Sequence, residues 1–250
     1  MNLGPELVQV GSNDGRIRLD RLLQALELRS MRVLFIGNSY TYFHDMPKVF
    51  QIICSGNGHS VETRMVASAG KSLEWHWYNP ETLDAIAEGG WDFTVLQDHS
   101  LQAMEDPERL RRSVRRFHSR IEAVGGATVP YMTWARRHIP EMQKAIAEVY
   151  RSAAEEVDGL LSPVGLAFER ALGTDQSLTL YEEDRSHPTI LGTYLTACSL
   201  HATLFEETPV GATSELELLA GVLTVIRGDI AETLQESAWI TWQNHGVRLS

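Results

Sequence analysis

At 250 residues with 43% hydrophobic side chains, the chain is long enough to bury one substantial core, and a single α/β domain is the simplest count. A formal net charge of -11 offers no cationic footprint for phosphates and argues against a nucleic-acid partner. No stretch approaches the roughly 20 consecutive apolar residues of a membrane span, and the start lacks a basic segment followed by an apolar core, so no membrane partner is expected and the predicted location is the cytoplasm.

Residues 1–30 join a turn cluster at Gly11 to Gly15 to an amphipathic stretch bearing Leu19, Leu22, Leu23, Leu26 and Leu28. They read as an N-terminal extension, either a helix added to the body or a homo-oligomer contact, with 31–250 as one domain. Val33-Leu34-Phe35-Ile36 then reads as a strand buried on both faces, stopped by Gly37 and small polar residues. From Tyr42 to Gly56, Phe43, Met46, Val49, Phe50, Ile53 and Cys54 recur at spacings of three and four, which predicts a helix with one buried face. Ser39 therefore sits where a strand hands over to a helix, the edge at which α/β sheets meet ligands and helix N-termini offer free amides. It is a candidate nucleophile whose own N–H is a candidate oxyanion donor.

Val61 to Val66 reads as the second strand, with Gly70 shortly after it. The aromatic segment Leu73 to Tyr78 reads as a helix covering the core or as a pocket wall, and makes Trp75 and Trp77 candidate substrate contacts. Phe93 to Leu96 forms the third strand, ahead of Gln97-Asp98-His99-Ser100. Asp106-Pro107-Glu108 opens a helix whose arginines spread around its surface, a pattern of solvation rather than of an anionic partner. Ala127 to Trp134 reads as the fourth strand, and its tail brings Trp134 and Arg136 to the carboxyl edge as candidate pocket residues. A helix from Pro140 to Val157, a fifth strand from Gly159 to Val164 and a short helix from Gly165 to Leu172 follow.

Asp184-Arg185-Ser186-His187-Pro188 places a carboxylate three residues before a histidine, just ahead of an apolar helical run from Ile190 to Phe205. Across a short turn that spacing lets the carboxylate hold Nδ1–H while Nε2 stays free to take a proton from a hydroxyl. Farther on, Ser214-x-x-Glu217 reads as a capping box opening a last helix to about Glu236, and Trp239 and Trp242 pack on the body.

A strand ending in Gly-x-Ser, an isolated Gly after the second strand, a polar cluster after the third and Asp-x-x-His near the end resemble the SGNH (GDSL-like) hydrolase family over roughly Met31 to Glu207. The resemblance implies a flavodoxin-like three-layer α/β/α sandwich, here with a five-stranded parallel sheet, and ester hydrolysis. It implies Ser39 as nucleophile, His187 as general base and acid, Asp184 as its orienter and the Gly70 N–H as an oxyanion donor. The family's Gly-Asp-Ser is Gly37-Asn38-Ser39 here, and its Gly-x-Asn-Asp is replaced by Gln97-Asp98-His99-Ser100. Gln97, or His99 in its place, would supply the third oxyanion donor, with Gln97 preferred for its carboxamide.

The other histidines show no metal-binding spacing, and neither a dinucleotide fingerprint nor a phosphate loop follows the first strand, so no metal and no cofactor are expected. Cys54 and Cys198 fall in apolar helical patterns as reduced core thiols. The expected activity is a serine hydrolase cleaving a small-molecule carboxylic ester, a short-chain or acetyl ester of a sugar. An acyltransferase with the same triad and a non-catalytic small-molecule-binding sandwich are the alternatives.

Overall fold

A computed structural model describes residues 30–218 and 223–246, so the N-terminal extension read over 1–30 lies, save for Ser30, outside the described residues. Four parallel strands, β1 (Met31–Gly37), β2 (Val61–Ala67), β3 (Phe93–Leu96) and β4 (Ala127–Pro130), form a sheet in the order β2-β1-β3-β4. The four apolar residues of β1 divide by alternation, as the two-residue period of a strand requires. Val33 and Phe35 enter one core, Leu34 and Ile36 the other, all four fully buried. Full burial of one such large side chain contributes roughly 1.5–3 kcal/mol, which is why this strand sits at the centre.

The first core is roofed by helices α2 (Met46–Gly56), α8 (Val164–Thr174), α9 (Ile190–Phe205) and α10 (Gly228–His245). The second is covered by α3 (Leu73–Trp77), α4 (Pro80–Ala87), α6 (Pro107–Ala123) and α7 (Met142–Glu155). The short helices α1 (Ser39–Tyr42) and α5 (Gln102–Glu105) follow β1 and β3 at the carboxyl edge of the sheet. Helix α9 is buried without interruption from Gly192 to Leu204. Three of its hydroxyls bond back to carbonyls one turn earlier, Thr196 to Gly192 at 3.0 Å, Ser199 to Leu195 at 2.8 Å and Thr203 to Ser199 at 2.8 Å, which offsets the cost of burying them.

Three sequence expectations are corrected here. The sheet has four strands rather than five, because the expected fifth, Gly159 to Val164, pairs with the fourth-strand segment only through Leu160 N to Thr128 O, Ser162 N to Pro130 O and Met132 N to Ser162 O. Pro130 has no N–H to donate and Pro163 ends the segment, so the ladder cannot extend into a named strand. The helix read across 42–56 is broken: Phe43–Asp45 forms a 3-10 turn with His44 and Asp45 at positive φ, and α2 starts afresh at Met46. A continuous helix would put Pro47 in its interior, whereas here Pro47 occupies the first turn, where no N–H is needed.

The capping box at Ser214 does not open a helix. Glu215–Glu217 is β5, paired antiparallel with β6 (Leu223–Val225), and the last helix begins at Gly228. The exposed-buried-exposed alternation of Glu215, Leu216 and Glu217 has the period of a strand, and it outweighs the local capping signal. Trp242 is buried and stacks on Trp239 at 5.1 Å between ring centroids. Among the described residues no helix is long and apolar enough to cross a membrane.

Candidate active site

The turn after β1 is built by close contacts. A Cβ on Gly37 would lie 2.3 Å from Thr41 Oγ1 and 2.6 Å from Gln97 Oε1, so only glycine fits. Buried His76 donates from Nε2 to the Gly37 oxygen at 2.8 Å and accepts from the Thr82 hydroxyl on Nδ1 at 2.8 Å. Burial pushes its pKa below the usual histidine value, against the pull of the Gly37 hydrogen bond, which keeps the ring neutral. Asn38 then caps the short helix α1, its Oδ1 accepting from Tyr40 N at 3.2 Å. Its Nδ2 donates to Lys71 O at 2.9 Å and Asp98 O at 3.3 Å, tying together the loops after the first three strands. An aspartate at this position, as in Gly-Asp-Ser, would meet two carbonyl oxygens with no proton to give them.

The histidine arrives on a tight hairpin. Tyr181 and Pro188 form an antiparallel bridge, Glu182 N donates to His187 O at 2.8 Å, and Arg185 turns the chain at φ +61. The turn folds Asp184 back on His187. Asp184 Oδ1 accepts the backbone N–H of Ser186 and of His187, each at 2.9 Å, while Oδ2 receives a short hydrogen bond from His187 Nδ1. Desolvation pushes the Asp184 carboxyl up, but the His187 side chain and the two amides outweigh it and hold the pKa below the usual carboxylate range. His187 Nε2 lies 2.9 Å from Ser39 Oγ, so the structure brings Ser39, His187 and Asp184 into one hydrogen-bonded line.

These residues line a cavity of about 560 Å³ whose wall also includes Tyr42, Phe43, Gly70, His99, Ser100 and Arg136. Gly70 sits at φ +65, a conformation that favours glycine, with open space where a Cβ would point. Among the described residues neither the Ser39 nor the Gly70 amide donates a hydrogen bond, which leaves both free for a ligand oxygen. His99 accepts from Leu101 N on Nδ1 at 3.4 Å, which places its proton on Nε2.

The structure does not bring Gln97 to the cavity. Its carboxamide is fully buried under the turn, with Oε1 accepting from Asn38 N and Thr41 Oγ1, both at 2.9 Å, and Nε2 donating to Asp98 O. Gln97 therefore holds the serine turn from below.

The three candidate tryptophans also lie outside the cavity lining. Trp75 is partly exposed on α3 under Lys71, and Trp77 packs edge-on against Phe117 beneath Arg116 and Arg120. Trp134 is buried, stacked between Tyr40 at 4.4 Å and Phe168 at 4.2 Å, and its Nε1 donates to Ser186 O at 2.9 Å.

Two residues that contact the site were not singled out in the sequence. Phe43 belongs to the expected buried helix face, yet the break before α2 turns it out to stack on His187, with centroids 4.4 Å apart and planes at 13°. Tyr40 joins its hydroxyl to Ser186 Oγ at 2.6 Å, and burial pushes its phenol above the usual tyrosine value against the pull of Ser186 and Arg136. The available signal was an aromatic one and four residues after the serine.

Among the described residues one group could hold a metal ion: His59, His201 and Glu207 bring one ligand atom each within 4.8 Å of one another. It involves the approach to β2 at the amino end of the strands, the edge opposite Ser39. There His59 Nε2 meets Glu207 Oε2 at 2.9 Å and stacks on Phe205 at 3.9 Å.

No family model matches the chain, and no curated protein does. Solved structures do. A protein from Slackia heliotrinireducens assigned to the SGNH hydrolases is 28% identical, with 70% of this chain and 100% of that one covered at a TM-score of 0.60. A DUF4886 family protein from Bacteroides uniformis is 18% identical over 86% of this chain and 95% of that one, TM-score 0.63. A catalytic mutant of an acetylxylan esterase from Geobacillus stearothermophilus is 14% identical over 70% and 94%, TM-score 0.54. The fold of this chain is that of the SGNH-like hydrolases.

Proposed function

From an SGNH-like hydrolase fold as premise, we propose that the chain is a serine hydrolase of carboxylic esters. The observation that carries this is the contact of His187 Nε2 with Ser39 Oγ at 2.9 Å while Asp184 occupies Nδ1. Ser39 Oγ attacks the ester carbonyl as His187 takes its proton, and Asp184 holds the imidazole in the tautomer that leaves Nε2 open. The oxyanion is received by the free amides of Ser39 and Gly70, with His99 Nε2–H as the third donor. His187 then protonates the departing alcohol. A water, deprotonated by the same ring, attacks the acyl-enzyme and returns Ser39 with release of the acid.

The substrate reading is a short acyl group on a larger alcohol such as a sugar. It is supported by the likeness to an acetylxylan esterase and by a cavity walled with both rings and hydrogen-bonding groups. A cytoplasmic location belongs to the same reading, and cell fractionation tests it. For the activity, a fluorophosphonate probe and a panel of short-chain and acetylated-sugar esters suffice. Wild-type protein is expected to be labelled and to turn over at least one ester, and Ser39→Ala to lose both. Labelling that survives in Ser39→Ala would falsify the assignment of the nucleophile.

A further inference from the structure

In the wall of the Ser39 cavity, Arg136 is a cation that has no acid partner among the described residues. Its guanidinium donates from Nη1 to Tyr40 Oη at 3.1 Å and from Nη2 to Ser100 Oγ at 2.9 Å. Both partners are neutral hydroxyls, and burial of Tyr40 keeps its phenol from ionising to compensate. Among the described residues no Asp or Glu lies within ion-pair distance of it. Arg109, Arg111, Arg112 and Arg115 on the outer face of α6, by contrast, are all paired with glutamates.

The position is also held. Ala135, the preceding residue, is buried, with its N–H on Gln143 Oε1 at 2.8 Å and its carbonyl on Tyr181 Oη at 3.0 Å. The two hydroxyls fix the plane of the fork, and each Nη retains a second N–H. A rigid guanidinium with spare donors, partly withdrawn from water and with no carboxylate paired to it, matches a carboxylate or phosphate oxygen better than any neutral group. The Coulomb attraction of such a pair is stronger in a cavity than on the open surface.

We propose that Arg136 is an anion-recognition residue of the Ser39 cavity, and that the ester cleaved there carries a carboxylate or a phosphate. This rests on the hydrolase reading for its kinetic test, and it specifies the substrate class that reading leaves open. The negative group could belong to the acyl part, as in a half-ester of a dicarboxylic acid, or to the alcohol, as in an acetylated sugar phosphate.

The experiment compares matched pairs: monoethyl succinate with ethyl pentanoate for the acyl side, and an acetylated sugar phosphate with the same acetylated sugar for the alcohol side. Wild-type kcat/KM is expected to favour the charged member of one pair by about tenfold or more, and that pair identifies the source of the charge. Arg136→Gln should collapse the preference mainly through KM, and Arg136→Lys should retain part of it, with thermal melts showing that both variants fold. Equal turnover of both members of both pairs by wild type, or the same proportional loss on charged and neutral esters in Arg136→Gln, overturns the proposal. In that case Arg136 is a prop for Tyr40, and the hydrolase reading stands.

A readout independent of turnover is calorimetric titration of Ser39→Ala with succinate and with inorganic phosphate. Binding that disappears in the Ser39→Ala, Arg136→Gln double variant supports the anion site even if no ester is cleaved. Absence of binding by both anions, with no charged-ester preference, removes it. Fluorophosphonate labelling of the wild type reports separately on the hydrolase reading.

Discussion

The indole of Trp134 donates to the backbone oxygen of Ser186 at 2.9 Å while its face stacks on Tyr40, so one buried side chain fixes both the serine turn and the histidine hairpin. Trp134→Phe keeps a ring between Tyr40 and Phe168 but leaves the Ser186 oxygen without its donor. The expected loss is about 1–3 kcal/mol of stability in urea denaturation. A fall of about tenfold in kcat with little change in KM is expected alongside, because the Ser39–His187 distance loosens. A variant with wild-type kcat would mean that stacking alone sets that distance.

Asn38 donates to two carbonyls from a site that is 2% exposed. Asn38→Asp, which restores the residue of Gly-Asp-Ser, replaces two donors by acceptors and should destabilise the fold by about 1–3 kcal/mol or more. The loss should shrink below the carboxylate range, where a protonated Asp regains one donor. Thermal melts at pH 4 and pH 8 measure both effects, and an Asn38→Asp protein as stable as wild type at pH 8 would contradict the hydrogen bonds described.

His99 and Gln97 separate by what each mutation damages. His99→Ala should lower kcat about 100-fold while the melting temperature stays near wild type, since the ring lines the cavity and supports little else. Gln97→Ala should act first on stability, because Asn38 N and Thr41 Oγ1 lose a buried acceptor. Should His99→Ala keep kcat within a fewfold of wild type, the oxyanion is held by backbone amides alone.

Asp98 supplies the pH dependence. It is fully buried, Oδ1 accepts from Leu73 N at 2.8 Å and His99 N at 2.7 Å, and desolvation pushes its pKa up to about 6 despite those amides. In the unfolded chain the carboxyl ionises at its ordinary, lower value. Stability from this group is therefore complete below about pH 4, where both states are protonated. It is lost as the pH rises through 6, and the ionised form at pH 8 costs about 3 kcal/mol relative to the protonated one.

Asp98→Asn cannot ionise, so its stability relative to wild type should improve by about that amount between pH 4 and pH 8, whatever the constant offset between the two proteins. Chemical denaturation across that range is the measurement. Parallel pH curves for the two proteins would place the ionised carboxylate in a better-solvated site than the structure gives it.

The features legible in the sequence were those written locally. Val33 to Ile36 announced a strand buried on both sides because an unbroken run of four apolar residues is visible in adjacent positions, and Gly37 marked its end. Asp184 and His187 announced a possible pair because three residues of chain suffice to close their turn. The Ile190 to Phe205 run appeared at its observed bounds, since a helix buried all round is simply a long apolar segment.

Only the tertiary structure decided which residues meet. Ser39 and His187 are 148 positions apart, and Trp134 reaches Ser186 across 52. Nothing in the spacing of Trp134, Gln97 or Phe43 distinguishes a cavity wall from a support beneath it. Tryptophan and glutamine each have an apolar or flat body and a hydrogen-bonding end. Which end faces solvent is set by the long-range partners of the fold: Ser186 O and Tyr40 for the indole, Asn38 N and Thr41 for the carboxamide. The last helix shows the same limit, because Ser214-x-x-Glu217 is a valid cap until Leu216 is claimed by the core and Glu215–Glu217 pairs with β6. Local propensity is worth a few tenths to about 1 kcal/mol per residue and burial of a leucine roughly 1.5–3, so where they disagree the packing decides.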